Sequence, residues 1–190
     1  MGTTPGAAFG HDVDCGLGAA IDLVNTAPRT AGAELLDDLD ALRGFLSRHR
    51  FGTVGEITQD DLPPVRALRA RLVGVLRAGS FDDAVEGINA VITETGTTPR
   101  LAAHDGHPWH MHYYAPGAAV ADHIGAECAI SIAFAFAADG RERFRECASP
   151  ECRRWLVDLS RNRSKRFCDS RTCGNRAHVA AYRARRRAAS

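Results

Sequence analysis

Hydrophobic positions first gather in Ala19-Ala20-Ile21-Asp22-Leu23-Val24-Asn25-Thr26, an apolar segment ended by Pro28. Residues 1–14 ahead of it are rich in Gly, Thr and Ala and read as a frayed, disordered terminus. Leu35, Leu36, Leu39, Leu42, Phe45 and Leu46 then recur at helical spacing, with Asp37, Asp38 and Asp40 on the other side and Gly52 and Gly55 closing the helix. Thr58-Gln59-Asp60-Asp61 forms a capping box with Asp in place of Glu and opens a long helix through Val65, Leu68, Leu72, Val75 and Leu76. Ser80 caps another, carrying Phe81, Val85, Ile88, Val91 and Ile92 and ended by Gly96-Thr97-Thr98-Pro99. Extended runs from Arg100 to His104 and from Pro108 to Tyr114 flank Asp105-Gly106, a hairpin signal. Ala118 to Ala138 predicts a mostly buried helix stopped by Asp139-Gly140. These elements predict an α+β body, helix-dominated with a small β-hairpin, over residues 15–140, and a second part over 141–190.

Charge divides the chain at the same place. Its 190 residues carry a formal net charge of +1. Residues 1–140 hold 9 Arg and no Lys against 18 Asp/Glu, a net −9, whereas 141–190 hold 15 Arg/Lys against 5 Asp/Glu, a net +10. An acidic body with a basic tail makes the tail the candidate for a polyanion. The N-terminus has neither a basic nor an apolar region of the secretory kind, and the most apolar stretch, Ile124 to Ala138, carries Glu127 and is too short to span a bilayer. A cytoplasmic bacterial protein without membrane contact is expected, whose six cysteines are reduced and suited to metal.

Cys147 and Cys152 are separated by four residues, as are Cys168 and Cys173, with fifteen residues between the pairs. Each pair can wrap a tight turn around one ion, so four thiolates meet after one long-range contact. Zn²⁺ suits four sulfurs and needs no redox partner. With all ligands filled the site is structural, in a segment near the lower size limit for folding without a staple. Buried free-thiol pairs and an iron–sulfur cluster are the alternatives. Between the pairs, Arg153 to Asp158 reads as a strand, Ser160 to Ser164 as a turn and Lys165-Arg166-Phe167 as the return strand; after Cys173 the chain is helical. That order is treble-clef-like.

Cys173-Gly174-Asn175-Arg176, standing after Cys147-Ala-Ser-Pro-Glu-Cys152 and Asp158-Leu-Ser-Arg-Asn-Arg-Ser-Lys-Arg-Phe-Cys168, resembles the CGNR zinc finger. The part before it is similar to the ABATE domain in Leu23-Val24-Asn25-Thr26 and Trp109-His110-Met111-His112. Together the resemblance covers nearly the whole chain. Arg153 stands where the finger pattern has Gly, and Phe167 where it has Trp; neither is a ligand. The resemblance implies a bacterial transcription regulator, not an enzyme, that binds DNA through the finger.

The basic residues fit that expectation. At 100° per residue, Arg176, Arg183 and Arg187 fall within about 40° of one another on the last helix, with His178 and Arg185 as an adjacent pair. Arg161, Arg163, Lys165 and Arg166 sit on the expected hairpin. Such groups suit phosphate, and Arg reads guanine bidentately. His104, His107, His110 and His112 form a second cluster, and Asn25, Trp109, His110 and His112, on which the resemblance falls, are candidates for a ligand pocket. Cys15 and Cys128 read as buried thiols. The expected partners are DNA, a small-molecule effector and a second copy of the chain. Rival readings are an RNA-binding or ribosome-associated module and a metal-dependent hydrolase built on the His cluster.

Overall fold

The computed structural model describes residues 9–51, 54–103 and 109–188. The first helix, α1 (His11–Val24), begins inside the segment expected to be disordered. Asp12 and Asp14 occupy its first turn, where the helix dipole favours carboxylates, and Asp14 accepts the Phe9 N–H at 3.2 Å. Phe9 in turn lies under the Arg143 guanidinium, 5.1 Å away. The disorder expectation is thus corrected for residues 9–14; residues 1–8 lie outside the described part.

After a single turn, α2 (Pro28–Ala31), comes α3 (Leu39–Arg48), which starts later than the leucine spacing predicts. Asp38 accepts the Ala41 N–H at 2.8 Å and so fixes the N-cap there, leaving Leu36 buried and Leu35 exposed ahead of the helix. Both capping boxes form. Thr58 donates its N–H to Asp61 at 2.8 Å around a 3₁₀ turn (Gln59–Asp61) that leads into α4 (Leu62–Arg77). Ser80 and Asp83 exchange bonds of 3.0 and 3.2 Å at the start of α5 (Phe81–Glu94).

Strands β1 (Arg100–Ala102) and β2 (His110–His112) pair antiparallel with Leu101 opposite Met111. The Asp105-Gly106 turn between them lies outside the described residues. The central helix is α6 (Val120–Asp139), packed against α1, α4 and α5. It is longer than the apolar run seen in sequence, and among the described helices it alone is long and apolar enough to cross a membrane. Its buried residues, from Val120 to Phe136, fall on all sides of the helix, as expected of a core helix. Gly16 of α1 allows the closest approach: a Cβ there would meet Ser131 Oγ at 2.0 Å.

Past Gly140, β3 (Phe144–Glu146) pairs antiparallel with β4 (Trp155–Val157), Phe144 opposite Val157. This corrects the expected hairpin, because Lys165 to Phe167 is not a strand. The chain is instead gathered around the fully buried Asp158, which accepts the N–H groups of Ser160 (3.0 Å) and Lys165 (2.9 Å) and the Ser160 hydroxyl (2.5 Å). Burial works against its charge, yet these donors and nearby Arg145 hold the Asp158 carboxyl below the usual range. Phe144, Trp155 and Val157 enter the same hydrophobic core as α1, α4 and α6. A π-helical turn (Ser170–Gly174) then leads into α7 (Asn175–Ala188). The fold is α+β, helix-dominated, with two small antiparallel pairs.

Candidate metal centre and nucleic-acid interface

Two loops bring the four cysteines together. The first follows β3: Cys147 donates its N–H to the Arg154 carbonyl at 2.8 Å and Cys152 to the Ser149 carbonyl at 3.0 Å, closing a turn between the two thiols. The second is held by Asp169, whose carboxylate accepts the Thr172 N–H at 2.7 Å and its hydroxyl at 3.1 Å. Ala148 donates to the Arg166 carbonyl at 2.8 Å and ties the loops to each other.

All four sulfurs lie within 4.8 Å of one another. Tetrahedral zinc with bonds of about 2.3 Å requires sulfurs about 3.8 Å apart. Cys152 to Cys168 measures 3.7 Å and Cys168 to Cys173 3.8 Å. A disulfide would need about 2.05 Å. The thiols are also unlike in acidity. The Cys147 thiol is opposed by burial, yet backbone N–H groups of Cys168 and Ser149 bring it below its ordinary value. Burial and the neighbouring thiols push Cys168 up, and burial raises Cys152. Four thiolates this close ionise together only around a cation. The donor set fits one structural zinc ion, held by Cys147, Cys152, Cys168 and Cys173, which would lock the two loops and leave no open coordination position.

The zinc loops carry α7. Arg176, Arg183, Arg185 and Arg187 are exposed on it and have no side-chain partner among the described residues. Arg186 faces the Tyr182 ring at 6.0 Å. Of the expected hairpin cations, Arg161 is exposed without a side-chain partner among the described residues, and Arg166 meets the Phe167 ring at 6.0 Å. Two others are engaged: Arg163 is ion-paired to Asp139 at the end of α6, and Lys165 Nζ lies 3.3 Å from the Val157 carbonyl. Sequence reasoning passed over Arg153, Arg154 and Arg171, which are exposed beside the cysteines; Arg153 and Arg154 have no side-chain partner among the described residues, and the charge of Arg171 acts on Asp169. Their signal was present: each lies within two residues of a predicted ligand.

A family model of the CGNR zinc finger matches residues 143–186, and that of ABATE, described as "putative stress-induced transcription regulator", matches residues 17–139. The chain belongs to the ABATE family. No curated protein matches it. The two matched segments meet at Gly140, where the charge reverses, and the C-terminal one carries the four thiols.

In the ABATE part the expected ligand pocket is not assembled. Asn25 sits at the C-terminal end of α1 and clasps the finger: its Nδ2 donates to the Trp155 carbonyl at 2.9 Å, and Trp155 N–H donates to its Oδ1 at 2.8 Å. Met111, between the two histidines, donates to Asp12 at the opposite end of α1, roughly 20 Å away along the helix. Trp109 is 71% exposed. His110 and His112 are neighbours, rings 4.6 Å apart, and His112 Nδ1 lies 3.0 Å from Glu127. Tyr114 stacks on His123, whose imidazole is driven down to about 3 by burial, with His112 and Arg100 adding to the effect. His104 and His107 lie outside the described residues. Among the described residues the four cysteines are the one group gathered as for a metal ion. Cys128 is buried as expected, whereas Cys15 is exposed beside His11.

Proposed function

We propose that the protein is a transcription regulator that binds duplex DNA through its CGNR finger, with α7 as the reading element and without an enzymatic activity. The observation that carries this reading is the exposure of Arg176, Arg183, Arg185 and Arg187, without side-chain partners among the described residues, on α7, a helix anchored directly to the Cys173 turn. A helix fits the major groove, phosphate contacts set its position, and an arginine near its fixed end can address a base edge. Of the α7 arginines, Arg176 is nearest the Cys173 turn and so the most rigidly placed. The filled thiolate set supports a binding role over catalysis. Association of two copies through the body would set the distance between two such helices.

A salt titration of the full chain on duplex DNA tests it. If about five phosphates are contacted, log affinity falls with log salt at a slope near −4.5, roughly 500-fold between 50 and 200 mM. Arg183→Ala with Arg187→Ala should flatten the slope by about 2, whereas Arg176→Ala should relax sequence preference at one position at a cost of about 1–3 kcal/mol. Selection from a random duplex pool with matched RNA as competitor reads both. Preferential retention of RNA would sink the DNA reading and favour the RNA-binding one.

A further inference from the structure

A cleft of about 460 Å³ opens along the seam between α1 and β4. Its size, and its place between two parts of a fold, are those at which small ligands are held. Ile21, Leu156 and Val157 form an apolar lining and are almost fully buried. The rim carries both signs of charge, but its acids are engaged. Asp22 Oδ2 lies 3.0 Å from His49 Nε2, and Asp169 accepts from Thr172. Arg154 is exposed with no side-chain partner among the described residues, and Lys165 reaches only the Val157 carbonyl. With Lys165 on that carbonyl, the rim cation left without a side-chain partner among the described residues is Arg154.

Glycine in a helix interior is less favourable than alanine. Gly16 is accounted for by the close approach of α6, but nothing lies within 4 Å of a Cβ placed at Gly18. Gly18 lines the cleft, and a side chain added there has room. Trp155, in the wall, buries its indole Nε1 with no acceptor among the described residues.

We propose that this cleft binds a small organic anion with an apolar body, of the class of aromatic or branched-chain carboxylates. The apolar part lies over the half-buried Leu159 beside Ile21, and the carboxylate meets Arg154. A bare phosphate or a nucleic-acid backbone would satisfy the cations and leave the apolar lining uncovered. Because the walls come from α1 and from the finger, such a ligand touches both parts at once. The proposal does not depend on what α7 binds.

Calorimetric titration of the full-length, zinc-loaded protein with benzoate and isovalerate, each beside its amide, tests it. At least one carboxylate should bind, with its amide at least tenfold weaker. Arg154→Ala should weaken binding at least tenfold. Gly18→Leu, which grows into open space, should abolish binding while zinc content and melting temperature stay unchanged. Should Gly18→Leu lose zinc or melt early, the exposed Arg154→Ala change carries the test. Absence of binding by both carboxylates, equal binding of the amides, or full affinity in a folded Gly18→Leu protein would each overturn the proposal. So would inorganic phosphate or duplex DNA displacing the carboxylate through Arg154 while Gly18→Leu binds normally, since the rim would then serve a polyanion.

Discussion

The arginines of the body and those of α7 are the same residue in two different roles. Those packed into or against the body, including Arg141 and Arg143 at the start of the basic tail, are structural. Arg69 forks onto Glu34 at 2.5 and 2.6 Å and donates to Thr26 Oγ1 at 3.0 Å. Arg141 caps the end of α4 by donating to the carbonyls of Leu76, Ala78 and Ser80. Arg143 is held by Asp139 and by the Asp158 carbonyl. On α7, Arg176, Arg183, Arg185 and Arg187 face solvent with no such partners among the described residues. Arg163 shows that net charge does not draw the line. It lies in the basic tail, yet its pairing with Asp139 places it with the structural set. The charge count of the tail overstates what it can offer a polyanion.

The comparison breaks most visibly if the platform under α7 is removed. Cys173→Ser, or chelation, should remove the stoichiometric metal and abolish duplex binding, because structural zinc contributes on the order of 10–16 kcal/mol to such a fold. Metal analysis beside a binding assay checks this; wild-type affinity in metal-free protein would mean that the helix needs no fixed base.

Next in size is a structural arginine. Arg69→Ala leaves Glu34 beside a core without its partner and should destabilise the protein by about 3–5 kcal/mol, with the salt slope on DNA unchanged. The pH dependence has a defined sign. The hydrogen bond from Arg69 lowers the Glu34 carboxyl from 4.5 to about 2. Its contribution is therefore complete above about pH 4.5, is lost as pH falls through 2, and is worth roughly 3 kcal/mol. Thermal melts of both proteins across that window should converge at the acid end.

Asn25→Ala removes the clasp on Trp155 and leaves a half-buried backbone N–H and carbonyl without partners, for a loss of about 1–3 kcal/mol by denaturant titration. The smallest effect sharpens the comparison most. Arg163→Ala should move the salt slope by less than about 0.5, where Arg183→Ala moves it by about 1. Equal changes in the two would erase the distinction between engaged and free cations.

What was legible in sequence was local. The cysteine spacing, the Thr58 capping box, the Ser80 cap and the arginine stripe of α7 each rest on residues within a turn or two of one another, and the structure keeps them. The misses are long-range. Lys165 to Phe167 has the look of a return strand, but β4 pairs instead with Phe144 to Glu146, ahead of the first cysteine, a choice made by the core that Phe144, Trp155 and Val157 enter. Asn25 lies 130 residues from the backbone it holds, so nothing beside it in sequence announces the bond. The start of α1 was hidden because glycine and alanine carry little pattern, while its helix-dipole acids, Asp12 and Asp14, were the signal to weigh.

The β3–β4 pair also determines how the molecule can be taken apart. Cutting at Gly140 would strip Phe144, Trp155 and Val157 from the body's core and leave those apolar faces bare on the excised finger. Joined to an unrelated partner, the finger would lack both the surface that covers them and the Asn25 amide that fits its Trp155 backbone. The two parts are exchangeable between chains only as a matched pair. Any recombinant swap that keeps the finger soluble has to carry with it a partner for that small apolar face.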